Sequence, residues 1–207
     1  MRLLVRPDGR WRGLPALLII ALVVTGVIMI GESLGSAPPF VPAGSGVAGV
    51  SGAYLSGAAA PTRVVIAAIG VDAPVRRVDV DADGMLQPPS LKEAGDVGWY
   101  RRGPTPGERG NAVLVGHVDT AATGPAVFYS LGRLKPGDAV SVQREDGSTA
   151  TFRVDTVRLY DKTAFPAGLV YGPVDGARLQ LVTCGGSFDR QTSGYRGNTV
   201  VTASLTT

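Results

Sequence analysis

Ala139-Val-Ser-Val-Gln-Arg-Glu-Asp-Gly-Ser-Thr-Ala-Thr-Phe-Arg-Val-Asp-Thr-Val157 alternates apolar and polar side chains on either side of an Asp146-Gly147 pair. A period of two sends one set of side chains to a core and the other to water, and Asp-Gly suits a tight hairpin turn. The stretch predicts two antiparallel strands, 139–143 and 149–157. Outward from it, the same β-branched and apolar pattern recurs in Arg63–Ile69, Ala112–Gly116, Leu179–Thr183 and Thr199–Leu205. Turn clusters, Pro104–Gly107 and Lys135–Asp138, punctuate these runs. Helical periodicity is weak, with short helices expected only near 90–94 and 126–131. The folded region is expected to be all-β, a barrel or a sandwich.

The N-terminal third reads differently. Residues 1–13 hold four arginines and one aspartate, and Leu14–Ile30 is an apolar run without a charge. Seventeen helical residues rise about 25 Å, at the short end of what spans a bilayer. With no basic residue after the run until Arg63, the positive-inside rule predicts a cytoplasmic tail at 1–13, a single transmembrane signal-anchor at 14–30, and residues 31–207 outside the cell. A cleaved signal peptide is the alternative, with Ser33-Leu-Gly35 as a tolerable cleavage site. Residues 31–60 are Gly, Ala, Ser and Pro with almost no charge, and are expected to form a flexible linker before one extracellular domain at 61–207.

The net charge of +3 does not indicate nucleic acid. Taking the tail's four arginines from 20 basic residues and its aspartate from 17 acidic ones leaves 16 of each, so the outer portion is neutral. The basicity orients the chain in a membrane instead.

The chain has one cysteine, Cys184, and one histidine, His117. A lone cysteine outside the cell has no disulfide partner in its own chain, so a chemical use is expected. Both residues sit just past the end of a short apolar strand, beside glycines: Gly116 for His117, Gly185-Gly186 for Cys184. An imidazole can act as base or as positive neighbour to a thiol, and the pair suits acyl transfer through a thioester. An oxyanion would then need an arginine or backbone N–H donors. Arg196, at the entrance to the last strand, is the candidate, with Arg190 behind it. Asp119 is expected either to orient the imidazole or to cap its loop. Thr183 either contributes a donor near the oxyanion or is an ordinary strand residue.

His117-Val-Asp119, Leu181-Val-Thr-Cys184 and Tyr195-Arg-x-Asn198-x-Val-Val resemble the sortases, the cysteine transpeptidases of Gram-positive surfaces. The segment before Cys184 matches their Thr-Leu-x-Thr-Cys signature except that Gln180 stands first. Ile66–Val75 and Asp96–Tyr100 are similar to the actinobacterial class E/F type. The resemblance spans 61–205. It implies a closed eight-stranded β-barrel in which Cys184 attacks the Thr–Gly bond of a Leu-Pro-x-Thr-Gly-like sorting signal on a secreted protein. A cell-wall amine then resolves the acyl-enzyme. It also implies His117 as general acid and base, and an arginine on the oxyanion or substrate backbone. The family's arginine lies five residues before the alanine of the final strand, a register that falls here on Asn198. Arg196 shares its strand parity.

No cofactor is expected, since one cysteine and one histidine do not make a zinc set. Asp79, Asp81 and Asp83 imitate part of a calcium loop but lack its closing glutamate, Ser90 standing at the twelfth position, and are read as a turn. A monomer is expected. Two other functions fit an exported β domain: a peptidoglycan crosslinker of the L,D-transpeptidase kind, disfavoured by the 67-residue separation of His117 and Cys184, and a non-catalytic binding barrel.

Overall fold

The computed structural model describes residues 53–206 apart from Asp83. The expected basic tail, the expected span at 14–30 and most of the expected linker lie outside these residues. Among the described residues no helix is long and apolar enough to cross a membrane.

Among the described residues ten strands follow in chain order: β1 (Pro61–Ile66), β2 (Val71–Val78), β3 (Val97–Tyr100), β4 (Gly110–Val115), β5 (Asp119–Thr120), β6 (Gly124–Pro125), β7 (Ala139–Arg144), β8 (Thr149–Asp161), β9 (Ala177–Asp189) and β10 (Gly194–Leu205). Eight of them close a barrel in the order β1-β2-β3-β4-β9-β10-β8-β7, while β5 and β6 form a separate small ribbon. The alternative of a sandwich is thereby removed. The β7–β8 hairpin turns at the predicted Asp-Gly, with Val140 opposite Phe152 and Val142 opposite Ala150, all four buried.

Most neighbours are antiparallel, but β2–β3 and β4–β9 are parallel. β2 pairs with β1 through Val71–Pro74 and with β3 through Val75–Val78. Pro74, which has no N–H for a ladder, stands where the strand changes partner.

The chain is buried on both sides of the β4–β9–β10 wall. Leu114, Leu179, Leu181, Val201 and Ala203 join Phe128, Phe152 and Ile66 in the barrel core. Val113, Val182 and Val200, of opposite parity, form a second cluster on the outer face with Val170. Val170 comes from α1 (Ala167–Tyr171), a short helix not expected from the sequence. Buried amides hold α1 in place. The Asn111 side chain donates to the carbonyls of Gly172 (2.8 Å) and Leu169 (3.2 Å). Asn111 in turn accepts from Gln180, which accepts from Thr202, both at 2.9 Å. Gln180 is fully buried, and its amide is the hub that a threonine at this position would lack the reach to form.

Residues 53–60, assigned by composition to the linker, pack on the barrel. Leu55 N–H donates to the Gly107 carbonyl (2.7 Å), Ala59 and Ala60 are buried, and the Arg144 guanidinium donates to the Gly57 and Ala59 carbonyls. Small side chains give low apolar content but let the backbone lie close enough to be hydrogen-bonded, which composition alone does not register. The helices expected near 90–94 and 126–131 are reduced to single 3₁₀ turns at Leu91–Glu93 and Leu131–Arg133.

Candidate active site

The parallel ladder between β4 and β9 pairs Gly110 with Ala177, Val113 with Gln180 and Val115 with Val182. Each pair is offset by 67 positions, the same interval that separates His117 from Cys184. The pairing continues past the formal end of β4. Gly116 N–H donates to the Val182 carbonyl (3.1 Å), and the Thr183 hydroxyl donates back to the Gly116 carbonyl (2.8 Å). One step further, His117 and Cys184 stand side by side on the outer face, in the same parity row as Val115 and Val182. The separation that looked like an obstacle in the sequence is the register of two adjacent strands.

Across β10 the row continues. Asn198 is the cross-strand partner of Cys184, and Tyr160 on β8 is the partner of Asn198. His117, Cys184, Asn198 and Tyr160 thus form one line over four strands. Cys184 is a free, half-buried thiol. It shares an open cleft of about 360 Å³ with His117, Asp119, Thr183, Lys162 and Tyr195, among others. A more apolar recess of about 370 Å³ adjoins it, lined by Leu86, Phe165, Tyr171, Val182, Lys162 and Asn198, among others.

His117 is held from its far side. Its Nε2 lies 2.7 Å from the Pro89 carbonyl oxygen. A carbonyl can only accept, so Nε2 carries the proton of this bond and Nδ1 is left for chemistry. Pro89 lies in the connection between β2 and β3, a part of the chain to which the sequence reading gave no role. Thr183 is buried, its hydroxyl proton committed to Gly116, so it fixes the strand end that carries His117.

Asp119 accepts a short hydrogen bond from the Tyr195 hydroxyl. This bond, then partial burial and then the carboxylate's charge, push the Tyr195 phenol up to about 12, with the charge of a Cys184 thiolate a lesser contribution. Tyr195 is part of the cleft wall and ties β10 to the segment after His117.

Arg196 does not join this group. Opposite Arg196 the pairing is irregular, β9 running three residues from Gly185 to Phe188 where β10 runs two from Tyr195 to Gly197, so the extra residue lies on β9. Its guanidinium donates to Asp189 (3.0 Å), with two-thirds of the side chain exposed. Asp189 lies below the usual carboxylate range, through the Gln191 backbone N–H first and Arg196 second. Neither Arg196 nor Arg190 lines the cleft; among the described residues that do, the one cation is Lys162. Lys162 follows β8 and has no ion pair among the described residues.

A family model described as the Sortase domain matches residues 64–206. No curated protein matches the chain. Solved structures share its fold at low identity. A sortase D5 transpeptidase of Clostridium perfringens superposes with a TM-score of 0.53 at 18% identity, covering 72% of this chain and 79% of that one. For sortase A of Corynebacterium diphtheriae, as a lid mutant, the TM-score is 0.54 at 18% identity, with coverage of 70% and 69%. Sortase C2 from pilus island 1 of Group B Streptococcus gives 0.53 at 20% identity, covering 70% and 73%.

Proposed function

The chain belongs to the sortase family, and on that premise we propose that it is a membrane-anchored cysteine transpeptidase acting on Leu-Pro-x-Thr-Gly-like sorting signals. The observation that carries the reading is the shared 67-residue offset, which supports Cys184 and His117 as neighbours on one face of the barrel. In the first half-reaction the Cys184 thiolate attacks the threonine carbonyl carbon. A C–S bond forms and the C–N bond to glycine breaks, while His117 delivers a proton to the departing amine. In the second, an incoming amine loses a proton to His117 and attacks the thioester, and the thiolate leaves.

The apolar recess beside the thiol offers a place for the Leu-Pro portion of such a peptide, and the open cleft admits both the signal and the second amine. The basic tail and apolar run at 1–30 support a single-pass arrangement with the N-terminus cytoplasmic and the catalytic domain outside. The acyl acceptor is proposed to be an amine of the cell wall, the working unit a monomer, and the subtype the actinobacterial class E/F.

The test is incubation of the full chain with a library of Leu-Pro-x-Thr-Gly-like peptides and a simple amine, followed by mass spectrometry. A thioester on Cys184 and an amide product are expected, both absent in C184A. Transfer that survives C184A, or a library that yields no adduct on the wild-type protein, would overturn the proposal.

A further inference from the structure

The geometry points to a further hollow, at the Tyr171 end of α1, as a binding site for the residues that precede the sorting signal in the acyl donor. β4 and the residues just after it turn Asn111, Val113, Val115 and His117 to the outer face in one row. Three hollows follow that row in order. His117 and Val115 line the cleft, Val115 lines the apolar recess, and Val113 and Asn111 line a hollow of about 340 Å³. The cleft and the recess share Val115, and the recess and the third hollow share Gly84 and Tyr171, so each opens beside the next. From Asn111 to His117 is six residues of chain, about 20 Å at the rise of a strand. A peptide lying extended along this row rises at the same rate. With its threonine at Cys184, level with His117, the variable residue, the proline and the leucine take up half that length. The other half holds the three residues before the leucine.

The lining suits apolar side chains. Tyr100 and Tyr171 meet edge to face with ring centroids 6.0 Å apart, and Val80, Val113 and Pro104 add apolar wall. Arg102 also lines the hollow, but its guanidinium is bound to Asp79 at 2.7 Å, so its charge is already met. Neither phenol hydroxyl has a hydrogen-bond partner among the described residues, which leaves both for the carbonyls of a peptide backbone. The wall is also held in place. The Asn111 amide grips α1 through the carbonyls of Leu169 and Gly172, on either side of Tyr171, so little ordering is left to be done on binding. The donor's own chain is the occupant because a signal is joined to its protein through the residue before its leucine. That stretch arrives at the hollow with every substrate. An apolar side chain in it gains contact there, whereas glycine or aspartate gains none.

The inference rests on the sorting-signal reading above, and its test separates the two. One Leu-Pro-x-Thr-Gly core is made with Val-Tyr-Val, Gly-Gly-Gly or Asp-Gly-Asp in front of it. The rate of Cys184 acylation at low peptide concentration is measured with the full-length protein. The Val-Tyr-Val peptide is expected to react roughly 10-fold faster than the other two, the scale of a modest apolar contact. In Y100A that ratio is expected to fall to within about twofold, while Y100F, which keeps the ring, retains most of it. The ratio is read within each protein, so a general loss of stability cancels, and the wild-type comparison needs no variant at all. Acylation by all three peptides at one rate overturns the site and leaves the sorting-signal reading standing. A ratio unchanged in Y100A overturns its placement beside Tyr100. Faster reaction of Y100A with every peptide would mean that residues 1–52 of this chain fill the hollow, which overturns it as well. No acylation by any of the three refutes the sorting-signal reading and the site together.

Discussion

The Tyr195 hydroxyl donates to the carboxylate of Asp119, joining the strand beside Cys184 to the segment that follows His117. The imidazole finds its anchor in the Pro89 carbonyl instead. Asp119 thus acts on the shape of the cleft, through a phenol, and not on the histidine ring.

That contact is measurable. The phenol is pushed up to about 12, first by its hydrogen bond to Asp119. A difference titration of phenolate absorbance between wild type and Y195F should show one tyrosine ionising near that value. D119N should return it toward the ordinary value of about 10. Because the folded value is raised, the stabilisation is complete below about pH 10 and is lost as pH climbs through about 12. A wild-type midpoint near 10 would mean the bond is absent in solution.

The single histidine allows its protonation to be read without assignment. With ¹⁵N-histidine incorporated, the neutral ring should carry its proton on Nε2, matching donation to Pro89. The opposite tautomer would place the basic nitrogen away from the cleft. H117A should slow transfer by about 10²–10⁴-fold, within the range for loss of a general acid–base group.

Gly116 has no room for a side chain: an added Cβ would lie 2.7 Å from both Phe128 and Val127. G116A should lose about 1–3 kcal/mol in denaturant melts and, by displacing His117, most of its transfer activity. Gly168, in α1 with open space around its would-be Cβ, is the contrast. G168A should be neutral or more stable by up to about 1 kcal/mol. Equal effects at the two sites would contradict the packing described.

Asp79 is held at about 2, first by the Val80 backbone N–H and then by Arg102 and Arg101. Its folded value is depressed from 3.8, so its contribution is full above that pH and disappears as pH falls through about 2. D79N should therefore melt below wild type at neutral pH, the gap closing in acid. A gap of constant size down to pH 2 would rule this out.

What the sequence made legible was whatever rests on local alternation and turn chemistry. The β7–β8 hairpin was readable because Val140, Val142, Phe152 and Val154 keep a strict period around Asp146-Gly147. Cys184 and His117 stood out by type and by their place at strand ends. Their adjacency was not readable from spacing, since a parallel register is set by backbone ladders between distant segments. β2 was hidden by Pro74, harmless only because the strand changes partner there. For Arg196, strand parity could not show that its guanidinium would be held by Asp189, a carboxylate at the end of the neighbouring strand β9. The donor Pro89 needs is an imidazole brought from another strand, and nothing in a run of prolines announces it.

The two reactive groups lie on opposite sides of the exposed Asp146-Gly147 turn in the chain, and what joins them is the β4–β9 ladder. A chain divided at that turn would yield one piece bearing the imidazole and another bearing the thiol. Neither piece holds a complete site, and restoring it requires two barrel seams, β4–β9 and β7–β8, to re-form together. Recovered transfer would then report reassembly of the barrel itself, making the catalytic pair a sensor for whether two separately made halves have met.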